Sequence, residues 1–329
     1  MQPKRIHSLL EKAIETRVPL FDPAHRTAFR LFNGFSEGEP TLAADVYATT
    51  LVIHNYADNP AQNQDVIHEA ADHLKERLGW LCAGLVKARN GNTPLEKNGQ
   101  LLFGKQPDTR IQEHGIWYAL NLTMNRDASF YLDTRNLRQW LAGNLRGKSV
   151  LNTFAYTGSL GVAATAGGAS RVVQTDLNRQ FLNLARDSCS LNGFPVHKND
   201  FIAQDFFPAV ARFKNEKQLF DCVILDPPFF STTPKGRVDL VPESARLINQ
   251  LRPLIHGGGT HIAINNALYL SGREYMDTLA SLCGDGYLRL RELIPVPADC
   301  VGNPIHPPIT DPAPFNHSTK IAVLDVKRK

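Results

Sequence analysis

The chain is poor in the residues that announce a special chemistry. Its 329 residues include five cysteines, Cys82, Cys189, Cys222, Cys283 and Cys300, with no CxxC pair. An odd, dispersed set excludes a disulfide framework and a cysteine-built zinc site, and reads as free thiols in a reducing compartment. Long apolar runs are missing as well, with no stretch near the ~18 residues of a membrane span. The opening "MQPKRIHSLLEKAIETR" is charged and amphipathic and lacks the apolar core and cleavage site of a signal peptide. The expectation is a soluble, cytoplasmic protein without a membrane partner. A large charge of one sign is absent too. At a formal net charge of +4, a polyanionic partner would have to be held by a local patch and not by the total. Internal repeats and low-complexity tracts are lacking. Apolar residues at 43% and charged residues at 21% are ordinary for a globular chain, and the length suits one large domain or two smaller ones.

Two rhythms divide the chain. Residues 1–125 show no regular βα alternation. "FRLFNGFSEGEPTLAADVYATTLVIHNY" reads as a hairpin or meander with turns at Gly34, Gly38 and Pro40. "NQDVIHEAADHLKERLG" places Val66, Ile67, Ala70, Ala71, Leu74 and Leu78 on one helical face, closed by Gly79. "IWYALNLTM" alternates as a strand does. This is a small α+β domain. From about residue 148, within a second domain over 126–329, the rhythm becomes strand, turn, helix. The strands are "SVLNTFA", "RVVQTD", "FIAQD", "DCVILD" and "THIAIN", followed by "LRLRELIPVP" and "KIAVLDVKR". Such alternation predicts an α/β domain with a mostly parallel sheet covered on both faces. Ligands bind at the carboxyl ends of such strands, so the residues that end each strand are the informative ones.

The first strand ends in "NTFAYTGSLGVAA", where Gly158 and Gly161 either let a ligand approach the backbone or serve only the turn. The second ends in Asp176, 18 residues beyond Gly158, placed to accept from the ribose hydroxyls of a nucleoside or to cap the next helix. Asp205 ends the third, beside Phe206 and Phe207; it can meet the amino group of an adenine or cap a helix. The fourth runs into "ILDPPFFSTTPK". There Asp226 and the Pro227 carbonyl can accept from a planar amino or amide group, and Phe229 or Phe230 can stack on its ring. The alternative is a tight proline turn with two core phenylalanines, disfavoured because an unpaired acid is a costly neighbour for buried rings.

The glycine turn, Asp176, Asp205 and "DPPF", in this order, resemble a class I S-adenosylmethionine-dependent methyltransferase. "FRLFNGFSEGEPTLAADVY", "ASFYLDTRNLRQWL", "VLNTFAYTGSLGVAA" and "LDPPFF" together resemble the bacterial 23S rRNA methyltransferase family that holds 5-methylcytosine and guanine-N7 enzymes. The likeness covers residues 26–326. It implies a Rossmann-like sheet of seven strands with the last antiparallel, S-adenosylmethionine as cofactor and RNA, rRNA in particular, as partner. It makes Asp133, Arg135, Phe154, Tyr156, Thr157 and Gly158 candidate cofactor contacts beside Asp176 and Asp205. The catalytic candidates are Asp226, Pro227, Phe229, Phe230 and Asn266, with no metal. The small domain becomes an RNA-positioning module, with Arg30, Lys87 and Arg89 as its basic residues.

Two departures bear on the chemistry. The 5-methylcytosine relatives carry an N-terminal PUA domain, and about 25 residues before the matching region are too few for one. They also place a nucleophilic cysteine in the turn after strand five, where this chain has Asn265 and Asn266 in "AINNAL". Carbon-5 of a pyrimidine needs a thiolate added to its ring, whereas guanine N7 already carries a lone pair and needs only positioning. The paired asparagines are similar to the guanine-N7 branch. The expected function is methyl transfer to a nucleobase nitrogen in RNA, either guanine N7 or an amino group. Three rivals stay open: a 5-methylcytosine enzyme with Cys300 as a relocated nucleophile, a small-molecule or protein amine methyltransferase, and a cofactor-binding RNA assembly factor without turnover. The proline-rich "GNPIHPPITDPAPFNHSTK" is expected to form a lid with His306, His317 and Lys320.

Overall fold

The computed structural model describes residues 3–233, 236–303 and 311–327. The chain divides into two compact units, Met1–Leu132 with Pro297–Pro308, and Asp133–Val296 with Ile309–Lys329. The division by rhythm at 125/126 and the division by contacts at 132/133 rest on different properties of the chain.

The first unit opens with α1 (Pro3–Arg17) and builds a sheet from β1 (Ala28–Asn33), β2 (Leu42–Tyr47), β3 (Thr50–Asn55), β4 (Ala83–Ala88) and β5 (Gln100–Phe103), in that spatial order. The first three form an antiparallel meander, and β4 returns parallel to β3 after α2 (Gln64–Arg77). Ile67, Ala70, Ala71 and Leu74 of α2 are buried, as their spacing requires. The helix runs to Arg77, with Leu78 and not Gly79 as its C-cap. The Leu78 N–H still donates to the Leu74 carbonyl, and its side chain, 4% exposed, turns into the core. Phe29, Leu42, Ala44, Leu51, Ile53 and Val86 join α1 and α2 in one apolar cluster. Alternation sends Arg30, Asp45, His54 and Lys87 to the opposite face. A hairpin of β6 (Arg110–Glu113) and β7 (Ile116–Ala119) follows.

The second unit begins with α3 (Arg135–Asn144) and then alternates: β8 (Ser149–Thr153), α4 (Ser159–Ala166), β9 (Arg171–Asp176), α5 (Arg179–Leu191), β10 (Phe201–Ala203), α6 (Phe206–Asn215) and β11 (Phe220–Leu225). A small ladder pairs β12 (Phe230–Thr233) with β13 (Gly236–Asp239). Then come α7 (Leu240–Leu251), β14 (Ile255–Asn265), α8 (Gly272–Cys283), β15 (Leu288–Ile294) and β16 (Lys320–Val326). The seven-stranded sheet has the order β10-β9-β8-β11-β14-β16-β15, with β16 antiparallel to both neighbours. The strands read as continuous apolar runs because both faces are covered. Val150, Ile224, Ile262 and Ile264 pack on one side with α3 and α4. Their neighbours Leu151, Val223, Leu225 and Ala263 pack on the other with α6, α7 and α8. This is the α/β, Rossmann-like architecture the strand rhythm predicts.

Candidate functional site

Strand order reverses between β8 and β11: β9 and β10 lie to one side, β14, β16 and β15 to the other. Parallel pairing of β8, β9, β10, β11 and β14 brings their carboxyl ends to one edge. The five strand-end segments of the sequence therefore share the edge where α/β sheets bind ligands.

After β8 the backbone is strained. Phe154 and Tyr156 have φ of 53° and 51°, and Gly158 has 77°. The first two are conformations that side chains adopt at a cost of roughly 1–3 kcal/mol each. Asp176 at the end of β9 holds the turn in place, for its two carboxylate oxygens accept from the N–H groups of Tyr156 and Asn178, both at 2.8 Å. Burial raises its pKa, and these two N–H groups oppose the shift. Asp176 does not cap α5; Asn178 does, accepting from the Gln180 N–H at 2.9 Å. Each Asp176 oxygen retains a lone pair for a ligand. The space left by Gly158 and Gly161 is filled from within the protein. A Cβ on Gly158 would lie 2.3 Å from the Ala185 Cβ, and one on Gly161 would lie 2.4 Å from the Gln174 Oε1. Phe154 stacks on Phe206 with centroids 4.6 Å apart, and Tyr156 meets Phe181 edge-on at the same distance. Thr157 is buried in the same turn.

Asp205 caps α6 by accepting from the Phe207 N–H at 3.1 Å, while Gln204 beside it keeps a buried Oε1 with no partner among the described residues. Phe206 is a core residue and Phe207 a half-buried one. Leu177, next to Asp176, is 63% exposed.

At the end of β11 the half-buried Asp226 carboxylate makes no hydrogen bond among the described residues. Its pKa is pushed up to about 7, first by burial and second by the nearby Asp133 carboxylate. Asp133 itself accepts from the Thr319 hydroxyl, and Arg135 opens α3 two residues on, half-buried. The Pro227 carbonyl accepts from Asn266 Nδ2 at 3.4 Å. Asn266 Oδ1 and Asn265 Nδ2 are buried with no partner among the described residues, while Asn265 Oδ1 accepts from the Ala267 N–H at 3.0 Å. Lys320 on β16 tightens this turn, its ammonium donating to the carbonyls of Ala267 at 3.1 Å and Ser318 at 2.6 Å. Burial lowers the Lys320 pKa to about 8.

Phe229 and Phe230 are 38% and 55% exposed, so they are not core residues of a proline turn. Leu268 and Tyr269, 68% and 84% exposed, extend this apolar surface just beyond Asn266. They and Leu177 were not singled out from the sequence. The available signal was position: Leu177 follows Asp176 directly, and Leu268 and Tyr269 lie two and three residues beyond Asn266.

Several expectations need correction. Arg30, Lys87 and Arg89 are not open surface cations. Arg30 forms a two-pronged pair with Asp45 at 2.7 and 3.0 Å, which also meets His54 Nε2 at 3.1 Å. Lys87 is fully buried and donates to three backbone carbonyls, of Asn98, Asn125 and Asp127. Arg89 pairs with Asp127 at 2.8 Å. Strand geometry placed Arg30 and Lys87 on the face opposite the apolar cluster, where burial requires each to have a partner, and Arg89 just beyond β4 is half-buried in its pair. Lys320 of the expected lid is likewise committed to backbone carbonyls, and His306 lies outside the described residues. Burial pushes the thiols of Cys222 and Cys189 up to about 12 and about 11, so neither supplies a thiolate at neutral pH. Cys300 is 2% exposed and belongs to the first unit, where its carbonyl accepts from Asn33 Nδ2 at 2.9 Å. Among the described residues no three His, Cys, Asp or Glu groups converge as a metal site, and no helix is long and apolar enough to cross a membrane.

A mostly parallel sheet with one antiparallel strand, a strained turn after β8 and acids at successive strand ends make this edge the candidate ligand site. Residues 42–280 match the S-adenosylmethionine-dependent methyltransferase family model. The chain belongs to that family, which makes S-adenosylmethionine its cofactor. It is similar to ribosomal RNA large subunit methyltransferase I of Aeromonas salmonicida, 32% identical over 68% of this chain and 56% of that protein. Ribosomal RNA large subunit methyltransferase K/L of Colwellia psychrerythraea is also 32% identical, over 68% of this chain and 32% of its own length. The chain thus spans about half or less of the length of these relatives. Among solved structures, that of SMU.776 in complex with SAH superimposes with a TM-score of 0.87 at 21% identity, covering 99% of this chain and 82% of that one. A likeness at that identity speaks for the fold.

Proposed function

We propose that this chain methylates a nitrogen of a nucleobase in RNA, most specifically guanine N7 or an exocyclic amino group in large-subunit rRNA. The single observation that carries the reading is the acceptor-rich end of β11. Asp226 has no hydrogen-bond partner among the described residues, the Pro227 carbonyl is set by Asn266, and Phe229 and Phe230 are exposed beside them. A planar base offering N–H groups fits that set, and its ring can stack on Phe229 or Phe230. The names of the two relatives favour rRNA among RNA species.

The residues at the neighbouring strand ends suit the cofactor. Asp176 retains acceptor lone pairs for ribose hydroxyls, the exposed Leu177 can cover one face of an adenine, and Gln204 Oε1 or Asp205 can accept from its amino group. Phe154, Tyr156, Thr157 and Gly158 shape the turn facing the methionine end, and Asp133 and Arg135 flank it. When bound, S-adenosylmethionine supplies an activated methyl group on a sulfonium. The protein is then asked mainly to hold the acceptor nitrogen in line and to exclude water. Asp226 and Pro227 orient the base, and Asn266 fixes the Pro227 carbonyl. If the target is an amino group, its released proton has a nearby acceptor in Asp226; ring N7 releases none. The thiol environment argues against carbon-5 chemistry, because Cys222 and Cys189 are held as thiols and Cys300 is buried, 2% exposed.

Nucleoside mass spectrometry of rRNA and tRNA, from cells with and without the gene, tests the reading. Loss of 7-methylguanosine or an N-methylated amino nucleoside from large-subunit rRNA is expected. Loss of 5-methylcytosine, or no change in either RNA pool, overturns it.

A pH profile gives an independent check. The Asp226 pKa lies above its ordinary 3.8, near 7, so its carboxyl is neutral below that pH and becomes an acceptor above it. The apparent kcat/KM should rise between about pH 6 and 8, since that ratio reports the free enzyme. An Asp133→Asn variant removes the like charge and should move this limb to lower pH. A limb that stays in place in that variant would show that Asp133 does not tune Asp226.

A further inference from the structure

We propose that the outer face of the β6–β7 hairpin in the first unit is a contact for single-stranded RNA, built from Arg26, Trp117 and Arg110. The proposal deepens the RNA reading above and rests on it. In the hairpin register Gln112 faces Trp117 and Arg110 faces Ala119. Alternation therefore puts Arg110, Gln112 and Trp117 on one face, while Ile111 and Tyr118, 0% and 1% exposed, face inward. The Arg110 guanidinium carbon lies over the Trp117 ring at 4.9 Å from its centroid, and that of Arg26 at 5.6 Å. Both arginines are exposed, and neither has a carboxylate partner or side-chain hydrogen bond among the described residues.

Arg17, Arg30, Arg77 and Arg89 of the same unit are each paired with an acid. A guanidinium stacked on an indole has its plane satisfied and its N–H edge open, the arrangement that suits a phosphate oxygen. The same plane can stack a base.

The site is also held in place before any ligand arrives. Asp22 accepts from the N–H groups of Ala24, Arg26 and Thr27 at 2.7, 2.6 and 3.1 Å. The Arg26 carbonyl in turn accepts from the Gln112 N–H at 2.7 Å, tying its loop to the hairpin. These bonds occupy the Asp22 carboxylate and fix both ends of the Arg26 peptide. Asp108, two residues before Arg110, is similarly occupied by Thr49 and Thr50. The acids next to the arginines in sequence are therefore spent on backbone N–H groups and hydroxyls. In the loop before Arg26, His25 stacks on Trp80 with centroids 4.4 Å apart, adding a second ring pair to this part of the unit. Two cations whose edges are open, on a preorganised loop and hairpin, answer the modest net charge with a local patch.

The experiment is a salt titration of binding to labelled poly(U) and to purified large-subunit rRNA, using the full chain. An Arg26→Gln/Arg110→Gln double variant should bind both RNAs at least about tenfold more weakly at low salt. Its slope of log K against log salt should be shallower by roughly 1.4, two phosphates at about 0.7 each for single strands. Arg26→Lys/Arg110→Lys should restore the slope but not the full affinity, because an ammonium neutralises a phosphate without the planar, forked donor edge. S-adenosylmethionine binding and the melting temperature should match the wild type in both variants. Wild-type RNA binding with unchanged affinity and slope in the glutamine variant overturns the patch while leaving the RNA reading intact. A wild type that binds neither RNA, yet methylates a protein or small amine, overturns both. Loss of binding to anionic vesicles or to an acidic peptide, with RNA binding unaffected, would assign the patch to another partner and also overturn the proposal.

Discussion

Asp226→Asn should lower the kcat/KM of RNA methylation by on the order of a hundredfold, while S-adenosylmethionine binds as in the wild type. Asparagine keeps the volume and one carbonyl acceptor at the end of β11. It removes the charge and places an N–H₂ donor where the target base is expected to present its own N–H groups. Two donors facing each other lose a hydrogen bond and leave a half-buried polar group unsatisfied. The loss should therefore appear in the step that aligns the base, measured as a single-turnover rate on rRNA beside calorimetric titration of the cofactor. The acid limb near pH 7 should vanish along with it, since its titrating group is gone. A variant that turns over at the wild-type rate would remove Asp226 from the target site. A variant that loses cofactor binding would move it to the cofactor side.

The largest effect on stability is expected from Glu37→Ala. Arg17 and Glu37 are 2% and 5% exposed, and form a two-pronged pair at 2.6 and 2.9 Å. Glu37 also accepts from the N–H groups of Asn33 at 2.6 Å and Asn303 at 3.1 Å. It thereby links the end of β1 to the segment that returns at Pro297–Pro308. Removing it leaves a buried guanidinium without its counter-ion, which costs roughly 3–5 kcal/mol, and orphans the Asn33 N–H for about 1–3 kcal/mol. These overlap and are not to be summed. Urea denaturation followed by circular dichroism measures the shift. An Arg17→Met/Glu37→Met double variant should recover part of the loss, because it removes the stranded charge as well. If the double variant is no more stable than Glu37→Ala, charge burial is not the reason.

Both variants bear on how much of the protein can be read along the chain. The strand rhythm from "SVLNTFA" to "KIAVLDVKR" was legible because a sheet covered on both faces demands unbroken apolar runs, and these leave a mark on neighbouring residues. The strand-end acids were legible for a related reason: in a parallel sheet, the residue after each run must reach the same edge. Exposure was less so. Phe229 and Phe230 are open to solvent and Phe206 is core, yet all three follow a strand-end acid within four residues.

By itself the sequence determined the class of fold, the parallel edge that gathers Asp176, Asp205, Asp226 and Asn266, and the absence of a cysteine after β14. All of these follow from local periodicity and residue chemistry. Only the tertiary structure decided which charges are buried and which are free. Arg30 and Arg89 are matched by acids 15 and 38 residues away, and Arg17 by an acid 20 residues away. Arg26 and Arg110 share one indole across the first unit. Lys87 looked like a surface cation and is sealed under three carbonyls. A charge carries no local record of its partner. The partner is chosen by strand register and by the path of the chain between elements, and those are settled only when the whole unit packs.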